Sequence, residues 1–542
     1  MAAWDDVDFI VVGAGTAGCI LAARLSESGR HTVALLEAGG EDSNFWVHVP
    51  LGVGLLADEP KFQHLRWNYE GAPEPGLGGR RVPQPRGRML GGTGSINGMT
   101  WVRGQREDFD HWRSLGNTGW GYEDVLPWFI RLEDHEFGAS ALHGAGGPSR
   151  VKVGPKNVLG DALISAAQQA GFPRNDDYNG ATQEGFGYDQ VNIRDGRRDS
   201  TADAYLRAAR SRPNLRVITN ALASRVTTEG GRATGVEFRR NGETNTLRAR
   251  AEVIVAAGSF NSPQLLQCSG IGPGALLQQH GVRVVLDAPE VGENLQDHVS
   301  VGLVYRCTQP ITLNEILRSP LKKLAMGMQY LLTRGGEMAH IGCYGTGFVK
   351  SDPALASPDG KIRLFLMSRL PGSGATAVPD WPGFSLSAQL VHPEARGHIR
   401  IQGPDVERAP EIFCNLLGTE RDLAASARMV GIARRIASMP ALAPYVAEEV
   451  MPGPTLDNSD LEALKGYARK AGSRGYHAVG SCRMGTDARA VVDPCLRVRG
   501  IAGLRVIDAS IMPSVTGGNT AVPTMMIAEK GSALVLEDAA RR

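Results

Sequence analysis

Residues 8–38 begin with an apolar run, Phe9–Val12, followed by the turn Gly13-x-Gly15-x-x-Gly18, a helical pattern, and a second apolar run ending in Glu37 and Ala38. Few folds accept that order. Glycines at these spacings let the chain turn tightly and approach a pyrophosphate at the helix N-terminus, which Thr16 and Ala17 open. Glu37 follows about 20 residues on, where a carboxylate takes a ribose hydroxyl. A glycine turn alone serves a purely structural purpose equally well. The ordered strand, turn, helix, strand and acid specify a dinucleotide-binding βαβ unit and a ligand containing an ADP moiety.

Composition narrows the class. A chain of 542 residues with 42% hydrophobic content supports two or more domains. Net charge is +1 with no dominant basic or acidic block, so nucleic acid is not an expected partner. Seven cysteines without CxxC pairs argue against a disulfide framework or a structural zinc site; no metal is expected. Free thiols suit a reducing compartment. The first strand begins by Asp8, which leaves no room for a signal peptide before it. No stretch reaches the ~18 apolar residues of a membrane span. The expected location is cytoplasmic, with peripheral membrane contact left open.

Residues 60–95, rich in Gly, Pro and Arg, read as extended loop. Strand-like runs follow at 215–219, 233–240 and 246–258; the apolar EVIVAAG suits a strand buried on both faces. Residues 310–340 read as amphipathic helix. Further strands are expected at 361–368, 384–391, 397–401 and 504–508, then a long helix from about Pro523.

Six blocks carry a family resemblance. GRMLGGTGSINGMTWVRG (87–104) and GSFNSPQLLQCSGIG (258–272) resemble the two signatures of the glucose-methanol-choline (GMC) oxidoreductases. VGENLQDH (291–298), HAVGSCRMG (477–485), VVDPCLRVRGIAGLRVIDASIMP (491–513) and GGNTAVPTMMIAEK (517–530) resemble its C-terminal blocks. The resemblance implies an α/β fold: a Rossmann-like FAD-binding domain (1–157, 200–300 and 465–542) and a β-sheet substrate-binding domain with flanking helices (158–199 and 301–464). It implies FAD as cofactor and a small-molecule alcohol as substrate. It leaves the electron acceptor (a quinone, a dye or O2) and the oligomeric state open.

The resemblance also distributes roles. Gly92, Ser95, Asn97, Gly98, Met99 and Thr100 would run beside the flavin, with Asn97 donating to its edge or simply closing a turn. Arg88 reads as a phosphate-neutralising group or a plain loop arginine. Val226 reads as an adenine contact or a core valine. Ala257, Gly258, Tyr476, Asp508 and Ala509 complete the expected cofactor wall. Asn519 and Thr520 precede the last helix, whose positive end would face the flavin pyrimidine; a plain N-cap is the other reading of Asn519. Ser95-Ile96-Asn97 lacks the histidine that tethers flavin covalently in some members, so non-covalent FAD is expected.

His477 opens its block and, by resemblance, takes the alcohol proton. Imidazole suits the task because its pKa lies near operating pH. His392 and His398 are weaker candidates. The family's second polar residue falls at Ala521, which has no side-chain hydrogen bond to offer. Tyr476, Asn519 or Thr520 would have to substitute, or the reaction would differ. The leading expectation is oxidation of a primary alcohol, aryl or aliphatic, to the aldehyde by hydride transfer to flavin N5. The alternatives are an oxidase of the same alcohols using O2, and a non-oxidative lyase or photoenzyme of the same fold. Residues 365–392 are expected to give the pocket an apolar, aromatic wall through Phe365, Met367, Trp381 and Phe384, or to place those four in the core.

Overall fold

The computed structural model describes residues 6–370 and 377–541. The strand Asp6–Val12 runs parallel to Val33–Leu36 on one side and to Glu243–Val255 on the other. Leu215–Ile218 extends the sheet beyond Val33–Leu36, and Leu504–Val506 lies against Val253–Val255, both parallel. The antiparallel strands Leu222–Glu229 and Arg232–Arg240 complete seven strands. Val253, Ile254 and Val255 are wholly buried, as their unbroken apolar run requires. Gly13 turns the chain at φ +97° into the helix Thr16–Leu25, which packs against the last helix, Ala521–Arg541.

A second, antiparallel sheet runs in the order Val446–Met451, Val299–Cys307, Gly383–Leu390, Gly360–Phe365, Cys343–Val349 and Gly185–Gly187. Gly472–Arg474 pairs with the start of Val299–Cys307. Strand alternation sorts its two faces. Val301, Leu303, Ile362, Leu364, Phe384, Leu386 and Ala388 point into a core shared with the helix Glu420–Ala437. Ser300, Arg363, Phe365, Ser387 and Gln389 point the other way, onto a cavity.

Three local expectations change. Within 60–95, Arg66–Glu70 pairs antiparallel with Pro83–Gly87. Its prolines are tolerated because a two-stranded ribbon leaves outward positions that need no N–H donor. The helical stretch 310–340 is two helices, Leu313–Arg318 and Pro320–Thr333, parted at Ser319–Pro320. The last helix starts at Ala521, with Pro523 inside its first turn, where an N–H would have no helical partner anyway. All seven cysteines are free. Among the described residues no helix is long and apolar enough to cross a membrane.

Candidate active site

One cavity of about 610 Å³ runs from the Gly13–Gly15 turn to His477 and is lined by residues of both sheets. Gly13, Gly15, Thr16, Ala17, Glu37 and Ala38 line its first end. A Cβ on Gly15 would meet only the Cα of Gly92, at 4.0 Å, and one on Gly98 or Gly258 would meet nothing within 4 Å. Side chains there would stand in the cavity, so the wall is bare backbone where a long cofactor must lie. The helix Thr16–Leu25 has no side-chain cap and no acid in its first turn, which leaves its N-terminal dipole for an anion. Glu37 accepts from Ala14 N at 2.9 Å and Gly39 N at 2.8 Å. Burial pushes its pKa up to about 7. Each oxygen keeps a second lone pair for a ribose hydroxyl.

Gly92, Asn97, Gly98, Met99, Thr100, Ala257, Gly258, Asp508 and Ala509 form the middle of the wall. Asn97 Oδ1 accepts from Met99 N (3.0 Å) and from Arg198 (2.8 Å), so its amide N–H groups remain for a ligand. Asp508 fixes the neighbouring backbone, accepting from Gly258 N and Ser510 N at 2.8 Å.

Four expected cofactor residues do not line the cavity. Gly18 lies beneath it: a Cβ there would stand 1.8 Å from Gly13 O, so this glycine lets the helix settle onto the turn. Ser95 is fully buried and donates to Leu90 O, tying the glycine-rich turn together. Arg88 lies over the Trp67 ring at 4.4 Å. Val226 is a core valine whose N–H donates to Ser269 Oγ; Ala221, Leu222 and Ala223 line the cavity in its place.

At the far end, His477 backbone N donates to Asp297 Oδ1 at 2.7 Å. Its ring is held on both sides. Lys361 Nζ donates to Asn519 Oδ1 at 2.8 Å, which turns the amide nitrogen of Asn519 toward His477 Nε2, also at 2.8 Å. An amide N–H can only donate, so Nε2 is the acceptor and the ring proton sits on Nδ1. Nδ1 then donates to His298 Nδ1 at 2.9 Å. Burial, then the nearby His298, Lys361 and Arg363, hold His477 well below the usual imidazole range. The ring is therefore neutral, with a lone pair on Nε2. Tyr476 precedes it at φ +67°, an uncommon conformation for a non-glycine residue that turns the next side chain inward. The Tyr476 hydroxyl is engaged by Arg474, and Ala521 and Thr520 line the wall beside Asn519.

Asn519 is thus no N-cap; it lies two residues before the helix and bonds the histidine. Lys361, His298, Asp297, Arg363 and Arg198 were not singled out from the sequence. Lys361 and Arg363 alternate with Ile362 and Leu364 in an evident strand, a pattern that reports one polar face without saying what it faces. His298 and Asp297 lie in the VGENLQDH block, which the resemblance marked without a role. Among the expected pocket aromatics, Phe365 alone lines the cavity. Phe384 is stacked on Tyr305 in the core, and Met367 and Trp381 pack away from the cavity. Residues 371–376 of that segment lie outside the described residues. His392 pairs with Asp108 and His398 with Glu411, both off the cavity. Arg86, Arg363, Arg369 and Arg474 add basic groups to a lining that is otherwise largely apolar.

Comparison with known proteins agrees with this geometry. Residues 7–300 and 393–528 match the two sequence profiles described as GMC oxidoreductase. The chain is 39% identical over 534 residues to an oxygen-dependent choline dehydrogenase of Brucella suis biovar 1 (strain 1330), covering 98% of this chain and 96% of that one. It is 41% identical to an oxygen-dependent choline dehydrogenase of Vibrio vulnificus (strain YJ016), covering 98% and 94%. The crystal structure of pyridoxine 4-oxidase from Mesorbium loti superposes with a TM-score of 0.88 at 30% identity, covering 97% and 98%. Glycine cradle, nucleotide-binding turn and buried histidine thus meet a match along nearly the whole sequence, and the chain belongs to the GMC oxidoreductases, FAD-dependent enzymes acting on alcohols.

Proposed function

We propose that this enzyme oxidises a primary alcohol, aryl or aliphatic, to the aldehyde, with His477 as base and Asn519 in the role the family gives to the residue at Ala521. The observation that carries the reading is the chain Lys361–Asn519–His477–His298, of which Asn519 and His477 face the cavity and Lys361 and His298 are buried behind them. The alcohol hydroxyl would take the place of the Asn519 amide at His477 Nε2, donating to its one lone pair, while its oxygen accepts the amide N–H so released. As the proton moves to Nε2, charge grows on the oxygen, and the Asn519 N–H is already aimed there. His298 holds the imidazole in the productive tautomer by accepting from Nδ1. Lys361 holds the amide the right way round. FAD, when bound, would supply the acceptor for the carbinol hydrogen and its electron pair. Gly13, Gly15, Gly98, Gly258, Glu37 and Asn97 would hold the cofactor, non-covalently. The His477–Asn519 bond supports alcohol oxidation over a lyase or photoenzyme, because it supplies the contact that Ala521 lacks. The first sheet would carry the cofactor and the second would bound the substrate.

The wall also bears on which alcohol enters. Quaternary ammonium recognition needs open aromatic faces. Trp67, Phe260, Phe365 and Tyr476 are the rings lining the cavity among the described residues. Each is already covered by an arginine: Arg88, Arg86, Arg363 and Arg474, at 4.4, 4.3, 4.9 and 4.3 Å from the ring centres. Three of these arginines, Arg86, Arg363 and Arg474, line the cavity themselves; their charge repels choline and accommodates a neutral or anionic alcohol. The test is anaerobic mixing of the FAD-loaded enzyme with choline and with neutral and carboxylate-bearing primary alcohols. Bleaching by the latter, with choline at least about tenfold slower, supports the reading; fastest bleaching by choline refutes it. Admitting air then separates an oxidase, which recovers its colour quickly, from a dehydrogenase.

A further inference from the structure

The helix Pro320–Thr333 is turned the wrong way for a water-facing element. Tyr330 is its one buried residue. Leu321, Leu324, Met328, Leu331 and Leu332 are 78, 64, 47, 57 and 77% exposed. At 3.6 residues per turn these five form one stripe about 100° wide, opposite Tyr330. The anchored side is secured by a polar tip: the Tyr330 hydroxyl donates to Gly196 O at 3.1 Å while its ring packs on Val49 and Met338. Phe45, 45% exposed, stands edge-on to Tyr330 on the anchored side.

Charge selects the partner. Between Glu315 and Glu337 the chain carries Arg318, Lys322, Lys323 and Arg334 and no Asp or Glu. Lys322 and Lys323 are exposed and lie about 80° beyond either edge of the leucine stripe, toward the polar side of the helix. A second copy bound through the same stripe would bring together two segments that each carry four basic and no acidic residues. An anionic lipid surface satisfies both features, since acyl chains take the leucines and headgroups take the lysines. The patch also adjoins the cavity. The helix leads through Glu337–Ala339 to Ile341, and Val49 leads through Pro50–Gly52 to Val53, Gly54, Ala57 and Asp58; Ile341 and these last four line the cavity.

We propose that Pro320–Thr333 is a peripheral membrane anchor that seats the enzyme on an anionic bilayer, with this wall of the cavity beside the lipid. The enzyme then works where apolar alcohols and lipid-soluble electron acceptors concentrate. The experiment is co-sedimentation of the FAD-loaded full chain with vesicles of phosphatidylcholine alone or mixed with phosphatidylglycerol. Wild type is expected to bind the mixed vesicles about tenfold or more tightly than the neutral ones, and less tightly as salt rises. L321S/L324S/L331S/L332S should lose vesicle binding about tenfold or more while keeping FAD content and vesicle-free alcohol oxidation. K322E/K323E should lose only the preference for phosphatidylglycerol. Failure of wild type to bind either vesicle overturns the proposal. So does a wild-type dimer, seen by light scattering, that the leucine variant converts to monomer without any change in vesicle binding.

Discussion

Replacing Asn519 with alanine removes the group between Lys361 Nζ and His477 Nε2, each 2.8 Å from it. The alcohol oxygen then loses an N–H donor as it gains charge. A hydrogen bond to a charged group contributes about 1.5–3 kcal/mol, so flavin reduction should slow by about ten- to a hundredfold. Lys361, with no exposed surface, is left without its acceptor and sheds its proton more readily. Lys361→Met should slow reduction less than Asn519→Ala, because the lysine acts through the amide. If the chain works as a unit, Asn519→Ala/Lys361→Met should be no slower than Asn519→Ala alone. Stopped-flow bleaching of the flavin under anaerobic conditions reads all four rates. Normal reduction in Asn519→Ala, or fully additive losses in the double variant, would refute the assignment of Asn519.

Gly15→Val should abolish FAD loading, read as flavin absorbance per protein after purification, because its side chain would fill the cradle. Ala521→Asn should slow alcohol oxidation: it crowds a wall where Asn519 already reaches His477, and unchanged rates with several good substrates would show that residue 521 does not face the reacting oxygen. In Lys361→Met the reduction rate should not fall toward about pH 6 as it would for an ordinary histidine, because His477 itself is held well below the usual range. Burial lowers the Lys361 pKa to about 7, so its charge is present below that pH and lost above it. Losing a neighbouring positive charge makes His477 more basic, so the rate should rise with pH through about 7, and Lys361→Met should remove the rise.

The nucleotide-binding turn, Glu37, His477 and Asn519 were legible in the sequence because short motifs dictate their local geometry. Gly18, Ser95 and Arg88 share those motifs yet point elsewhere, since membership of a block does not decide which side chains reach the cavity. Val226 shows the same limit on a strand: the alternation is readable, but which face meets a ligand depends on packing far along the chain. Lys361 and Arg363 are the counterpart. Their strand was recognised, while its polar face would ordinarily be assigned to solvent. Arg363 instead lines the cavity, and Lys361 is covered by Asn519, more than 150 residues away. The helix Pro320–Thr333 was read as amphipathic, and its orientation was not: a single tyrosine anchored in the protein turns five apolar side chains outward. The strand Pro83–Gly87 was missed because proline was read as a breaker where an edge position tolerates it.

Anaerobic reduction of His477→Ala by a good alcohol substrate tests the central claim most directly. FAD content should match wild type, since no expected cofactor contact is removed, and the reduction rate should fall by about 10²–10⁴-fold, the usual contribution of a positioned base. A variant that binds FAD and is reduced at a near-normal rate would show that another group takes the alcohol proton and would contradict the account.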